Sequence, residues 1–295
     1  MPFNHLLLAL AVVFVWGTNF VVIKLGLAEL PPFLFATLRF AASAFPFLFF
    51  IKRPAVPLAK LAAFGALLGA GQFGLLFYAM RADISPGLAS LVIQTQVFFT
   101  IGMAMLLHRE RPRAEQGIAL ALAVAGMGVI AAHLNGSITA LGLVLVTFAA
   151  LSWACANLVV KSAGRVDMLG FMVWSSIFAV PPLLVLSLVF EGPTAIAQGL
   201  AHADWVGWAA VAWQAVGNTL FGYGAWNWLL ARHAAATVTP MALLVPVFGM
   251  AASALAFSEA MPAWKLLAAA LVLGGLALNV AASRIALRSL QTARG

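Results

Sequence analysis

The chain has 295 residues, of which 64% are hydrophobic and only 8% charged. Soluble domains carry about 25% charged residues, so the surface of a globule this long could not be solvated and soluble enzyme folds are excluded. The net charge of +8 reads as loop topology rather than as a nucleic-acid surface, and the long continuous apolar runs exclude the alternating strands of an outer-membrane barrel.

A run of roughly 20 apolar residues crosses a bilayer as a helix. Ten such spans are expected, at 6–23, 33–51, 61–80, 86–107, 116–133, 140–160, 169–190, 205–230, 236–257 and 264–282. The loops between them are short and carry turn residues: Pro31-Pro32, Lys52-Arg53-Pro54, Arg111-Pro112-Arg113, Asn135-Gly136-Ser137, Glu191-Gly192-Pro193 and Met261-Pro262. The first span is expected to be retained. It lacks a basic leader and runs through Thr18 and Asn19 without a small-residue cleavage site. The lone Cys155 permits no internal disulfide.

In span 1, Trp16 lies about 16 Å deep, below the interfacial aromatic belt. Asn19 follows on the same face. Span 2 carries Arg39. A cation within a span is costly and commonly functional, and here it would attract a substrate carboxylate. It is also close enough to the span end to snorkel, and both readings stand. In span 3, Gly71, Gly74 and Tyr78 share a face that suits close approach of a substrate or of another helix. In span 4, Gln94 and Gln96 point in opposite directions, so one of them is structural. Gln96, which aligns with Pro246, is taken as the cavity candidate. Spans 5 and 10 carry small residues at four-residue spacing, Ala121 with Ala125 and Ala270 with Gly274, suited to internal packing or a homodimer.

Span 6 repeats the pairing of span 1, with Trp153 and Asn157 on one face. An aromatic plane beside an amide can stack an apolar side chain and bond an amino or carboxylate group; it can equally be interhelical packing. Span 7 adds Trp174-Ser175-Ser176. Span 8 is the most polar. Its Gln214 and Asn218 stack on one face, whereas Tyr223 and Asn227 lie about 140° away on a straight helix. Gly217, Gly222 and Gly224 offer places for it to bend. Span 9 holds Pro240 and Pro246, each of which frees a backbone carbonyl. They are candidate hinges or plain kinks.

Ten crossings put both termini on one side. That side collects Lys52, Arg53, Lys60, Arg109, Arg111, Arg113, Lys161, Arg165, Arg232, Arg284, Arg288 and Arg294. The other has Lys24, Arg81 and Lys265. Cytoplasmic loops are rich in Lys and Arg, so both termini are expected in the cytoplasm. The halves also match. Trp16 and Lys24 map onto Trp153 and Lys161 at a shift of 137 residues, while Val97-Phe98 and Pro112 map onto Val247-Phe248 and Pro262 at a shift of 150. Five spans per half reverse the second half relative to the first. The expected fold is therefore all-α, two inverted five-helix repeats at 1–135 and 136–295, with a substrate site between them. The change of shift implies extra length in span 7, span 8 or their loop.

Trp16-Gly17-Thr18-Asn19-Phe20, Leu38-Arg39-Phe40 and the glycine-rich ends of spans 5 and 10, on this ten-span plan, resemble the drug/metabolite transporter superfamily in its EamA-type branch. Within it the chain is similar to the bacterial YddG-type amino-acid exporters. The resemblance covers the whole chain. It implies a basket of spans 1–4 and 6–9 around a central cavity, with spans 5 and 10 to one side. It also implies export of amino acids, aromatic ones included, across the bacterial inner membrane.

The eight acids, Glu29, Asp83, Glu110, Glu115, Asp167, Glu191, Asp204 and Glu259, all fall in loops or at span ends, as do the five histidines. A proton relay needs such a group at depth, so uncoupled, facilitated movement is expected. No phosphate-binding loop, metal cluster or serine–base pair is apparent, and neither cofactor nor enzyme activity is expected. The expected substrate site is Trp16, Asn19, Arg39, Tyr78, Gln96, Trp153, Asn157, Asn218 and Tyr223. An exporter of other small metabolites or drugs on the same fold is the alternative. The absence of a buried acid argues against a site dedicated to cationic drugs.

Overall fold

In a hydrocarbon medium the backbone must satisfy its own polar groups, which continuous apolar sequence does as helix. The computed structural model describes residues 1–108, 114–134, 136–164, 166–233 and 235–292. Arg109, Arg111, Arg113, Arg165 and Arg294 of the charge count, together with Glu110, lie outside them. The helices are α1 Phe3–Glu29, α2 Pro32–Ala44, α3 Leu58–Ala66, α4 Leu75–Ala82, α5 Pro86–Val92, α6 Gln96–His108, α7 Ala114–Ala131, α8 Ala140–Ala163, α9 Met168–Phe190, α10 Gly192–His202, α11 Trp205–Ala212, α12 Gly222–Arg232, α13 Ala235–Val238, α14 Leu244–Phe257 and α15 Ala263–Thr292. A π stretch, Leu67–Gly74, joins α3 to α4, and a second, Trp213–Phe221, joins α11 to α12. Short 3₁₀ stretches, Ile93–Thr95 and Thr239–Leu243, join α5 to α6 and α13 to α14. Among the described residues there is no strand, and the one β-type pairing is an isolated antiparallel bridge between Ile84 and Ile138.

Eight of the described helical runs are long and apolar enough to cross a membrane, and Pro32–Ala44 is apolar but shorter. The run from Trp205 to Arg232 is also continuously helical but carries Gln214, Asn218 and Thr219 in its middle. Several expected boundaries shift: α1 runs on to Glu29 and α15 to Thr292, past the expected ends at 23 and 282. Helix was expected to 51, but α2 stops at Ala44 and turns follow to Phe50. Pro46 explains this, since it has no N–H to donate and its ring crowds the carbonyl four residues back. The expected loop after Phe190 instead contains α10, while the extra length of the second half lies mainly in α9, 23 residues against 13 in α2.

Polar contacts gather at the two ends of the bundle. At one end the Lys24 ammonium donates to the Met80 and Arg81 carbonyls, closing the C-terminus of α4. There too Glu191 accepts from the Phe33 and Leu34 amides and caps α2, and Thr139 Oγ1 donates to Asp83. At the other end His5 meets His233 at 2.7 Å, Trp174 Nε1 donates to the Ile51 carbonyl, and Lys60 donates to the Ser162 carbonyl. Trp174 is therefore tied to the end of the bundle. Asp167 and Asp204 cap α9 and α11 by accepting from the amides two and three residues on.

Glycine sets how closely α1 meets α14: a Cβ on Gly17 would lie 2.6 Å from the Val245 carbonyl oxygen. Helices α7 and α15 form a seam in which a Cβ on Gly126 would lie 3.1 Å from the Ala268 carbonyl, and one on Gly275 2.6 Å from that of Ala119. The small residues singled out in the sequence, Ala121, Ala125, Ala270 and Gly274, lie on the outward faces of this pair.

Candidate functional site

The π stretch Trp213–Phe221 organises the site. Relative to an α-helix, a π turn inserts one residue and rotates everything beyond it by roughly 100°. The separation of about 140° between Asn218 and Tyr223 on a straight helix falls to about 40° when one residue is absorbed. The contacts agree. Trp16 Nε1 donates to the Asn218 backbone carbonyl at 3.2 Å, and the Trp16 ring lies 5.5 Å from Tyr223 and 5.2 Å from Trp226. A Cβ at Gly222 would run into the Trp16 indole nitrogen, so only glycine fits there. The side chain of Asn227 lies outside the described residues.

One helix layer away, Asn19 Oδ1 accepts from Gln214 Nε2 at 2.7 Å, both groups buried. Thr219 Oγ1 donates to the Gln214 carbonyl, five residues back in the π register. Its oxygen then accepts from Arg39 Nη2 at 3.2 Å. Arg39 is 0% exposed, which removes the snorkelling reading. Its guanidinium carbon sits 3.8 Å from the Phe73 ring centroid and 4.8 Å from that of Phe40, contacts that recover part of the cost of burying a charge. Phe73 belongs to the other π stretch, so Arg39 is held between the two. Among the described residues no carboxylate pairs with it, and its Nε and Nη1 have no partner. The buried Gln214 Oε1 and Gln72 Oε1 are unpartnered as well.

The remaining expected residues lie elsewhere. Asn157 Nδ2 donates to Gln96 Oε1 at 2.8 Å and to Thr100 Oγ1 at 3.3 Å, forming a separate amide pair between α8 and α6. Trp153 is half-buried against the core. Tyr78 stacks on Phe33 at 5.4 Å. Pro240 lies in the 3₁₀ stretch before α14, and Pro246 is buried within α14. The structure thus brings Trp16, Asn19, Arg39, Asn218 and Tyr223 into one connected group and leaves Gln96 with Asn157 as another. Sequence reasoning missed Thr219, Phe73, Gln72, Thr100 and Trp226. Thr219, Gln72 and Thr100 carried a legible signal, being polar residues within apolar spans; Phe73 and Trp226 required knowledge of helix rotation.

Glu259, between α14 and α15, holds together the end of the bundle where Lys24 lies. It accepts from Ser85 Oγ at 2.5 Å, Gly87 N at 3.1 Å, Ser253 Oγ and Lys265 Nζ at 2.9 Å. Burial pushes its carboxyl up, but the hydrogen bonds from Ser253, Ser85 and Lys265 and the Lys265 charge outweigh this and hold it below its ordinary value of 4.5. A carboxyl lowered on folding stabilises the fold at neutral pH, and the stabilisation is lost as pH falls through the folded-state value. Glu259→Gln is therefore expected to melt several degrees below the parent at pH 7. The gap should begin to narrow near 4.5 and close as pH falls on through the lower folded-state value. Thermal melts of both proteins in detergent at a series of pH values check this; a gap independent of pH would mean the charge is immaterial.

Comparison with known proteins follows the same lines. A model of the EamA-like transporter family matches residues 4–132 and again 140–281. A protein named "Probable amino-acid metabolite efflux pump" from Salmonella typhimurium is 41% identical over 284 residues, covering 94% of this chain and 95% of that one. Its namesake from Escherichia coli strain K12 is 40% identical over 279 residues, covering 92% and 93%. The "Uncharacterized inner membrane transporter YedA" of the same strain is 26% identical over 254 residues, covering 80% and 78%.

Proposed function

Because the chain belongs to the EamA-like transporter family and is a multi-pass bacterial inner-membrane protein, we propose that it exports neutral and aromatic amino acids by alternating access, as a carrier and not as an enzyme. Arg39 carries the reading. Among the described residues it is a fully buried cation without a carboxylate partner and with two unpaired donor nitrogens. A substrate carboxylate supplies what it lacks. The unpartnered Gln214 and Gln72 oxygens are acceptors suited to an ammonium group, and Trp16, Tyr223 and Trp226 offer an aromatic wall for the side chain. The names of the Salmonella and Escherichia relatives support an amino-acid-related cargo.

The carrier reading includes ten spans, cytoplasmic termini and two inverted repeats at 1–135 and 136–295. Three features support it. The family model matches the chain twice. Leaving aside the short α10, the third helical run of each half carries a π stretch and the fourth a 3₁₀ stretch. Trp16 donates to a carbonyl of the second π stretch, and Ser152 donates to the Leu67 carbonyl of the first. In this scheme Gln96–Asn157 and Tyr78 line the path with Trp153, Pro240 and Pro246 act as hinges, and the outward faces of α7 and α15 are where a second copy would dock. Among the described residues no acid joins the Arg39 group; Asp83, Asp167, Glu191, Asp204 and Glu259 are engaged at helix ends. Movement is thus facilitated diffusion.

The test is efflux from liposomes loaded with labelled phenylalanine, methionine or threonine, with no ion gradient. Saturable efflux is expected. Movement only after a proton gradient is imposed would overturn the uncoupled mechanism. No movement in either condition would favour a carrier of other small metabolites.

A further inference from the structure

At the end of the bundle that holds Lys24 and Glu259, a cavity of about 570 Å³ opens between the α4–α5 turn, residues 136–137 and the α14–α15 turn. This is within the range of roughly 300–1,000 Å³ typical of small-molecule sites. It is separate from the Arg39 group, none of whose residues line it. Its apolar wall includes Phe257, Pro86 and Trp264, and Trp264 is held flat against His133 at 5.0 Å. Its charged lining is Lys24, Lys265 and Glu259, a surplus of one positive charge.

These three charges are not equivalent. The Glu259 carboxylate already receives four donors, and Lys265 is paired with it. The Lys24 ammonium donates to two backbone carbonyls, Met80 and Arg81. An ammonium has three donors, and among the described residues no carboxylate lies within ion-pair distance of Lys24. The cavity therefore presents one uncompensated cation beside a fixed aromatic wall, next to a carboxylate that is saturated.

We propose that this cavity is a second binding site, for small carboxylates with an apolar or aromatic body. The carboxylate pairs with Lys24 and the body lies on Trp264 and Phe257. On the orientation given above it faces the outside, so it would receive an amino acid leaving the carrier. That last point rests on the proposed function; the binding itself does not.

The probe is 3-phenylpropionate, with 3-phenylpropionamide as its neutral counterpart, titrated calorimetrically into the purified full-length protein. The acid is expected to bind at least tenfold more tightly than the amide. Lys24→Met and Trp264→Leu should each weaken the acid by tenfold or more. Lys24→Arg should retain it, which guards against loss of the α4 cap as the cause. The Lys24 and Trp264 comparisons are made in the Arg39→Ala protein as well, where the carboxylate site proposed at Arg39 is gone; the Lys24-dependent binding should persist there even though transport is lost, so failure here and failure of the transport reading are told apart. Equal binding of acid and amide, or acid binding indifferent to Lys24 and Trp264, would overturn the proposal. So would acid binding absent from zwitterionic-lipid nanodiscs when anionic lipid protects Lys24 from acylation, because the occupant would then be a net-anionic lipid headgroup.

Discussion

Arg39→Met is expected to lower amino-acid export by about 10- to 100-fold while leaving thermal stability unchanged or raised. Hydrogen bonds to a charged group are worth about 1.5–3 kcal/mol, and each 1.4 kcal/mol is a factor of ten. The split between function and stability is the informative part. Among the described residues Arg39 has no ion-pair partner, and two of its donor nitrogens are unsatisfied. An apolar side chain of similar length relieves that desolvation and still packs on Phe73 and Phe40. A residue kept for the fold would lose stability on this change; one kept for a carboxylate loses transport. Arg39→Lys, which retains the charge but not the planar fork, should fall between the two. Export rates paired with melting temperatures check the expectation.

Deleting Val216 is expected to bring transport close to background, whereas Val216→Ala is expected to be nearly silent. Val216 lies in the π stretch and is 53% exposed, so its side chain contributes little to the interior. Its presence in the count is what matters. Removing one residue lets the stretch close as α-helix, and everything beyond rotates back by about 100°. Tyr223 and Trp226 then leave the Trp16 ring, and the Asn218 carbonyl loses its indole donor. Quenching of tryptophan fluorescence together with efflux from liposomes distinguishes the two variants.

The parts of the fold set by bulk physics were readable from sequence. Long apolar runs mark membrane helices because the backbone has no other partner in hydrocarbon. The errors at α2 and α10 came from single residues with local effects, Pro46 ending α2 early and Gly192-Pro193 starting α10. Within the site, residues of span 1 were readable because a straight helix keeps its phase, so Trp16 and Asn19 could be placed together. Span 8 was not, since its polar residues fall on two faces in a regular helix and on one side only after the π stretch. Arg39 was visible as a charge in an apolar span, but only tertiary packing could show that it turns inward. Gln96 with Asn157 shows the reverse limit. Two amides chosen as contacts for substrate also satisfy each other, and pattern alone carries no record of partners.

The most direct measurement is competition during gradient-free efflux of labelled phenylalanine from liposomes, comparing unlabelled phenylalanine with phenylalaninamide. The two differ in the carboxylate alone, the group assigned to Arg39. Phenylalanine is expected to compete and its amide to fail by tenfold or more in the parent protein, with the difference largely abolished in Arg39→Met. Equal competition by the two in the parent would contradict a carboxylate site at Arg39.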